Sequence, residues 1–586
     1  VDRCVTGRVA QQQCVGQLQL PLSNCGVVSL DYTGKKGIAT SIGHAPISGL
    51  IDSRKGSKNA IAEALTNIVF APLENGIHSI SLSANWMWPC NNPGEDSRLY
   101  EAVEECSKFA IDLGINIPTG KDSLSMKQKY PNYDVLSPGT VIISAAGQCS
   151  NLKNIIKPVA TFKGGDFFYV DFAQDEFYLG GSSFAQSQEC IGNDTPGVMN
   201  AAYFKRAFNT VQDHINAGKI SAGHDIGSGG LIASLLELCF PSLNIGIDLD
   251  FSCLKETDLV KILFSEKVGI ILQSNFDLKS SFSKNRVKAL KIGVVNQNSL
   301  LKIGNNNISI NKMRKEWMKT STQFELKQTN AELALHRLDN VIKQPLKFKF
   351  PSKFSGKKPI QKEKRLNAAV IREKGSNSER EMAYMMDLCG FNVRDVHMTD
   401  LIEGRETLED IQLLVAVGGF SNSDVLGSAK GWAGAFKYNV KAKSALENFF
   451  SRTDTLSLGV CNGCQLFIEL GLLNANHTQK PKMMHNKSGK FECIFTAVNI
   501  KPSSSIILKG LEGSVLGIWA AHGEGRFSFP KAEINYQIPA KYLYEEYPSN
   551  PNGSDFNAAM LVSDNGRHLV MMPHLERSIF PWNWGH

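Results

Sequence analysis

The stretch LSLGVCNGCQLF sets two thiols three residues apart behind a short apolar run. Leu456–Val460 has the length and character of a buried strand, Asn462 and Gly463 suit a tight turn, and 465–473 has helical periodicity. Cys461 therefore falls at a strand-to-helix elbow, where unpaired helix amides and the positive dipole end favour a thiolate over a thiol. That is nucleophile chemistry. On this stretch alone other readings stay open: a redox CxxC pair, half of a zinc site, or a buried structural cysteine. The surroundings are not those of a thioredoxin-like start, and no second ligand pair for zinc is evident. A nucleophilic thiol needs a base, and the base needs a carboxylate to hold its tautomer. Far along the chain, LVMMPHLERS delivers His574 from a strand-like run, with Glu576 two residues on. Taken alone, that pair also fits a satisfied surface histidine.

A second set of residues lies upstream. IAEALTNI places Glu63 and Asn67 four residues apart, hence on one face of a helix. Two oxygen donors there suit a hard cation, or simply a solvated helix face.

These residues must be positioned by several packing units, because 586 residues exceed what one core accommodates. From 27 to about 155, strand-like runs (GVVSLDY, IHSISLSA, GTVIISAAG) alternate with helical patterns (NAIAEALTNIVF, SRLYEAVEECSKFAIDLG), predicting a mixed α and β domain. A second mixed unit covers 156–335, with DFFYVDF, FYLGGSSFAQ, MNAAYFKRAFNTVQDHINAG and GGLIASLLELCF. Residues 336–364 become rich in Lys, Pro and Ser, the composition of a solvated linker. Beyond it, in 365–586, NAAVIRE, NVRDVHM, LLVAVGGF and TLSLGV alternate with helical patterns, which predicts a parallel doubly wound sheet. In such sheets the chemistry lies beyond the carboxyl ends of the strands, where Cys461 and the Gly-Gly after VAV both fall.

The formal charge of +7 is small for this length and partly confined to the lysine-rich segment, so a nucleic-acid footprint is not supported. No apolar run approaches the roughly 18 residues of a membrane span. The 13 cysteines lack framework spacing, which suits reduced thiols and a cytoplasmic setting. The chain opens on Val1 inside what reads as a motif, so an expectation is that it is part of a longer protein.

Taken together, GVCNGCQ, GGFS at 418–421, HGEGR at 522–526 and PHLER resemble the class I glutamine amidotransferase domain of the phosphoribosylformylglycinamidine synthase family. Upstream, EALTNI, LSANWM, PGED, TGKDSLSM and LGGSSFAQ resemble the second synthetase repeat of the same large, single-chain enzymes, so the resemblance spans the whole chain. It implies a multidomain α+β and α/β fold: synthetase-like N-type (27–155) and C-type (156–335) subdomains, then a doubly wound, flavodoxin-like amidotransferase domain. Residues 1–26 become the segment joining the two repeats, and the first repeat, an N-terminal half, becomes a missing partner.

For the site, the resemblance implies Cys461 as nucleophile, His574 as general base and acid, Glu576 as its orienting partner, and backbone N–H groups near Gly419 and Asn462 as the oxyanion hole. Cys464 falls one turn into the helix and is expected only to pack. Upstream it implies Asn24, Glu63, Asn67 and Asp225 as Mg²⁺ ligands, with Ser23 and Gly227 touching an ATP or ADP nucleotide held in an auxiliary site. The implied reaction is ATP-dependent amidation of formylglycinamide ribonucleotide, with ammonia drawn from glutamine through an internal channel. The rival reading is a degenerate homologue that keeps the fold as a non-catalytic binding protein. Departures from the family pattern are Asn24 for aspartate, DIGSGG for DISDGG, and Leu575 where proline is common.

Overall fold

The computed structural model describes residues 7–357 and 365–584. Residues 1–6 of the expected joining segment, 358–364 of the expected linker and the last two residues lie outside the described residues. The chain forms two compact units, dominated by Arg8–Trp317 and Met318–Trp584.

In the first unit, one sheet comprises β1 (Val9–Gln11), β2 (Cys25–Ser29), β3 (Gly37–His44), β4 (Ile80–Met87), β5 (Asn116–Ser123) and β6 (Thr140–Cys149), ordered β1-β2-β3-β6-β4-β5. Residues alternate between buried and exposed along β3, as in a sheet covered on one face. The covering helix, α1 (Ser53–Ile68), starts where the Asp52 carboxylate accepts from the N–H groups of Arg54 and Lys55. It lies directly on β3 at Gly43, where a Cβ would come 2.2 Å from the Ala60 carbonyl oxygen. That close seat presses the Glu63 and Asn67 face of α1 onto the strand. The residues read as a joining segment contribute β1, which pairs with β2, because a sheet edge offers its free backbone groups to the nearest extended chain.

The unit's other sheet comprises β7 (Asp166–Asp171), β8 (Ala222–Asp225), β9 (Gly246–Leu249), β10 (Gly269–Ser274), β11 (Ala289–Asn296), β12 (Leu300–Ile303) and β13 (Asn306–Ser309), ordered β8-β10-β7-β11-β9-β12-β13. Two helices anticipated from the sequence, the amphipathic α2 (Ala201–Asn216) and the strongly apolar α3 (Gly230–Cys239), belong to this half. Strand β8 ends on Asp225, and the GSGG turn that follows leads into α3.

In the second unit the central sheet is doubly wound. It contains β14 (Asn367–Arg372), β15 (Asn392–His397), β16 (Leu413–Ala416) and β17 (Leu456–Val460), with α4 (Asn462–Glu469) following directly. A separate antiparallel sheet of β18 (Glu492–Ile500), β19 (Val515–His522) and β20 (Ala540–Tyr542) intervenes before β21 (Met560–Val562) and β22 (His568–Met571) complete the central one. The central order is β15-β14-β16-β17-β22-β21, parallel throughout except for β21. Both faces of β16 and β17 are covered, which is why they read as continuous apolar runs rather than alternating ones.

The described part of the expected linker is not a free connector. Residues 331–340 are helical, the Tyr544 hydroxyl donates to the Pro345 carbonyl, and Phe348 packs against Phe495 and Trp584. Its aromatic residues, interleaved with the lysines, supply the apolar surface that holds it to this unit.

Candidate active site

Three neighbouring parallel strands deliver the site around Cys461. Beyond β16 come Gly418 and Gly419, beyond β17 comes Cys461, and beyond β22 comes His574, so the ladder register of one sheet places all three. The elbow itself is strained: Cys461 has φ 52° and ψ −107°, a conformation side chains rarely adopt. Small residues permit it. A Cβ on Gly463 would lie 2.0 Å from the Ala416 carbonyl oxygen, and one on Gly459 2.6 Å from the Gly463 carbonyl oxygen. Cys461 donates its N–H to the Met571 carbonyl, and its thiol lies at the N-terminus of α4.

His574 and Glu576 form a buried pair, with Nδ1 2.6 Å from Oε1 and the two side chains 1 % and 0 % exposed. The turn carrying them has Leu575 rather than proline; it is held by the His574 N–H donating to the Trp519 carbonyl at 2.7 Å. Since Glu576 occupies Nδ1, the other ring nitrogen, Nε2, is buried without a protein partner and faces the thiol. Burial and Arg577 pull the His574 pKa down, but Glu576 and the Cys461 sulfur outweigh them and raise it to about 9. Burial alone would push the Cys461 thiol up; His574 and His522 overcome it and hold the thiol well below its usual range. Burial likewise opposes ionisation of Glu576, yet His574 keeps its carboxyl low. The outcome is a thiolate facing an imidazolium backed by a carboxylate.

Sequence reasoning gave no role to His522. Its ring stacks on that of His574 with centroids 5.6 Å apart, and one nitrogen of each imidazole lies within 4.8 Å of the other and of the Cys461 sulfur. The available signal was the HGEGR stretch, but its position at the end of β19, in a sheet the local pattern did not reveal, concealed the proximity.

Gly418 lies against the elbow, where a Cβ would come 3.3 Å from Cys461 Cβ, and Gly419 seats against the 375–377 loop. At φ 122°, a Cβ there would lie 2.6 Å from the Asn377 nitrogen and 2.7 Å from the Gly375 oxygen. Fully buried Asn462 ties the two loops together, its Oδ1 accepting from the Ser421 N–H at 3.3 Å while its Nδ2 donates to Gln465. Cys464 is fully buried, and burial drives its thiol well above the usual range, so it stays protonated and inert. The cavity above Cys461 measures about 130 Å³ and is lined by Gly419, Phe420, Asp424, Glu524 and Arg577 among others.

In the first unit, Ser23, Asn24, Glu63, Asn67, Asp225 and Gly227 all line one cleft of about 880 Å³. Burial pushes the Glu63 carboxyl up to about 7, opposed by the His44 N–H and reinforced by Asp225 and Glu266. Asn67 donates to the Ile42 carbonyl and leaves its own Oδ1 buried without a partner. Asn24 donates to Asp225 Oδ1 at 2.9 Å, and the Ser23 hydroxyl donates to the Cys25 carbonyl. The His224 ring lies between Asp225 and Glu237; burial opposes its charge, but those two carboxylates outweigh it and raise its pKa to about 10. A carboxylate unsettled by burial and an orphaned amide oxygen in one cleft fit a hard cation as an additional partner. Glu266, which sequence reasoning passed over, accepts from the Ser183 and Gly229 N–H groups and so clamps the glycine turn.

Comparison with known proteins assigns three domains. Residues 365–586 match the CobB/CobQ-like glutamine amidotransferase domain, 1–148 the FGAR-AT PurM_N-like domain, and 178–303 the C-terminal domain of AIR synthase related proteins. Among curated relatives, the probable phosphoribosylformylglycinamidine synthase of Arabidopsis thaliana, named as chloroplastic/mitochondrial, is 40% identical over 100% of this chain and 44% of its own length. The phosphoribosylformylglycinamidine synthases of Dictyostelium discoideum and Homo sapiens are 38% and 35% identical, each over 100% of this chain and 47% of its own length. The chain thus spans about half the length of the curated relatives it matches.

Proposed function

Because the chain is homologous along its whole length to phosphoribosylformylglycinamidine synthases, we propose that it supplies the glutaminase and an auxiliary nucleotide site of an enzyme converting formylglycinamide ribonucleotide, ATP, glutamine and water into formylglycinamidine ribonucleotide, ADP, phosphate and glutamate. The observation that carries this reading is the buried Cys461, His574 and Glu576 arrangement beyond the ends of two neighbouring parallel strands, β17 and β22. A scaffold without catalysis has no use for a strained elbow, a depressed thiol and an oriented imidazole in one place, which disfavours the non-catalytic alternative.

In the proposed reaction the Cys461 thiolate attacks the side-chain carbonyl carbon of glutamine. Negative charge develops on the carbonyl oxygen, where the N–H groups of Gly419 and Asn462 meet it. His574, protonated at Nε2, gives that proton to the departing nitrogen, so ammonia leaves and a glutamyl thioester remains. His574 then takes a proton from water, hydroxide displaces the sulfur, and glutamate departs. ATP activates the amide oxygen of the ribonucleotide substrate, and the ammonia, carried inside the protein by a channel, displaces phosphate.

In the cleft of the first unit, Glu63, Asn67, Asp225 and the free oxygen of Asn24 would hold Mg²⁺, with Ser23 and Gly227 beside the nucleotide. Mg²⁺ when bound neutralises phosphate charge. The residues' own contribution is to present oxygen donors from α1 and β8 to one cleft. The glutamine, ATP and ribonucleotide substrates, together with a further half of the protein, are the partners this reading requires. Cys25, Cys106, Cys149, Cys239 and Cys464 are buried free thiols, which suits a reducing compartment such as the cytoplasm. No helix among the described residues is long and apolar enough to cross a membrane.

The test is covalent labelling by a glutamine-analogue electrophile followed by peptide mass spectrometry. Modification at Cys461, blocked by excess glutamine, is expected; a folded protein whose Cys461 stays unlabelled would refute the glutaminase assignment.

A further inference from the structure

Cys461, His522 and His574 present Sγ and one imidazole nitrogen each, all within 4.8 Å of one another and all buried. Tetrahedral zinc with one sulfur and two nitrogen ligands spaces those atoms about 3.5 Å apart, a closure that small rotations about the side-chain bonds supply. The two imidazoles are already held as metal ligands usually are. Glu576 engages His574 at Nδ1, and Asn552 Oδ1 lies 3.4 Å from His522 Nδ1, so each ring is oriented through the nitrogen that faces away from the thiol. Both Nε2 atoms are buried with no protein partner, on side chains that are 2 % and 1 % exposed. The cavity above them leaves room for a fourth ligand and is lined by the carboxyl groups of Asp424 and Glu524 as well as by Arg577.

We propose that the Cys461 thiolate, His522 Nε2 and His574 Nε2 form a three-ligand site for a thiophilic divalent cation of the zinc class, and that its occupation reversibly blocks glutamine hydrolysis. Binding forms one metal–sulfur and two metal–nitrogen bonds and releases to solvent the proton that His574 Nε2 carries in the ion pair. No oxidation is involved. The nucleophile's lone pair and the base's proton-accepting lone pair are both consumed, so a metal-loaded site can neither attack nor transfer protons. Hard cations are excluded by the same ligands: Mg²⁺ demands oxygen donors. The loss of turnover rests on the glutaminase reading above, whereas the binding rests on ligand geometry alone.

The experiment uses the whole chain with Cd²⁺ as a spectroscopic probe and Zn²⁺ as the inhibitor. One equivalent of Cd²⁺ is expected to give a thiolate-to-metal charge-transfer band that is absent in Cys461→Ser and needs about 10-fold or more metal in His522→Asn. In the unmodified protein, stoichiometric Zn²⁺ should protect Cys461 from iodoacetamide, EDTA should restore alkylation, and Mg²⁺ should do nothing; this arm needs no variant to fold. Equal alkylation with and without Zn²⁺, or a band that survives in Cys461→Ser, overturns the site. Protection of Cys461 in a protein whose glutamine hydrolysis is unaffected by Zn²⁺ would uphold the metal site and count against the glutaminase reading instead.

Discussion

Replacing Glu576 with Gln preserves the shape of the side chain and removes its charge. The His574 Nδ1 to Glu576 Oε1 contact is 2.6 Å long between fully buried groups, so solvent cannot compensate for the change. A hydrogen bond to a charged group contributes about 1.5–3 kcal/mol, which corresponds to a loss of roughly 10- to 150-fold in the population of the thiolate–imidazolium pair. The amide brings a second fault: its NH₂ can face Nδ1, favouring the tautomer protonated at Nε2, which cannot accept a proton there. The expected result is a fall in kcat/KM for glutamine hydrolysis of at least the lower figure. The pH dependence of Cys461 alkylation by iodoacetamide provides an independent readout. In the unaltered protein the thiolate persists well below the usual thiol range, and its imidazolium partner is lost near pH 9. In Glu576→Gln the onset of alkylation should move up toward about 8.5, the ordinary thiol value. A variant whose kcat/KM stays within about twofold of the parent, with an unmoved alkylation profile, would refute the argument that Glu576 sustains the ion pair.

Gly418→Ala should cost glutaminase activity while leaving the melting temperature nearly unchanged, because its Cβ would meet His574 Cε1 at 2.8 Å and Cys461 Cβ at 3.3 Å; retained kcat with a normal melt would show that His574 yields without consequence. Glu63→Gln should raise the melting temperature of the ligand-free protein, since burial already opposes its charge, and should shrink the stabilisation that Mg²⁺ with ATP provides; an unchanged ligand-induced shift would remove Glu63 from the cation site. For His224, the folded pKa of about 10 exceeds the unfolded value of 6.5, so its stabilisation is complete below pH 6.5 and is lost as pH rises through about 10. The urea midpoint of the first unit should therefore fall over that window and fall less in His224→Gln; identical slopes would exclude His224 as the source.

The sequence showed the parallel strands of the second unit well, because β14, β16 and β17 are short apolar runs bounded by turn residues. It showed Cys461 and its elbow for the same reason: strand, glycine turn and helix follow one another locally. The joining of His574 to Cys461 was not visible from spacing, since β-ladder register across distant segments carries it; the resemblance to a family supplied it. The sheet of β18 to β20 went unread, and with it the approach of His522. In the first unit, the i, i+4 spacing of Glu63 and Asn67 did place both in one cleft. The orphaned oxygen of Asn67 and the raised pKa of Glu63 depend on the close seat of α1 at Gly43, which no pattern along the chain reveals.

That His574 follows β22, the last strand to enter the central sheet in chain order, has a consequence for biosynthesis. While a nascent chain lacks that strand, Cys461 has His522 and the α4 N-terminus beside it but not the Glu576-backed His574, the larger of the two imidazole influences that lower its pKa. The reactive sulfur is thus fully armed only when translation has passed Glu576 and the final strand has docked, and an unfinished chain carries a less activated nucleophile, less readily alkylated or oxidised in passing.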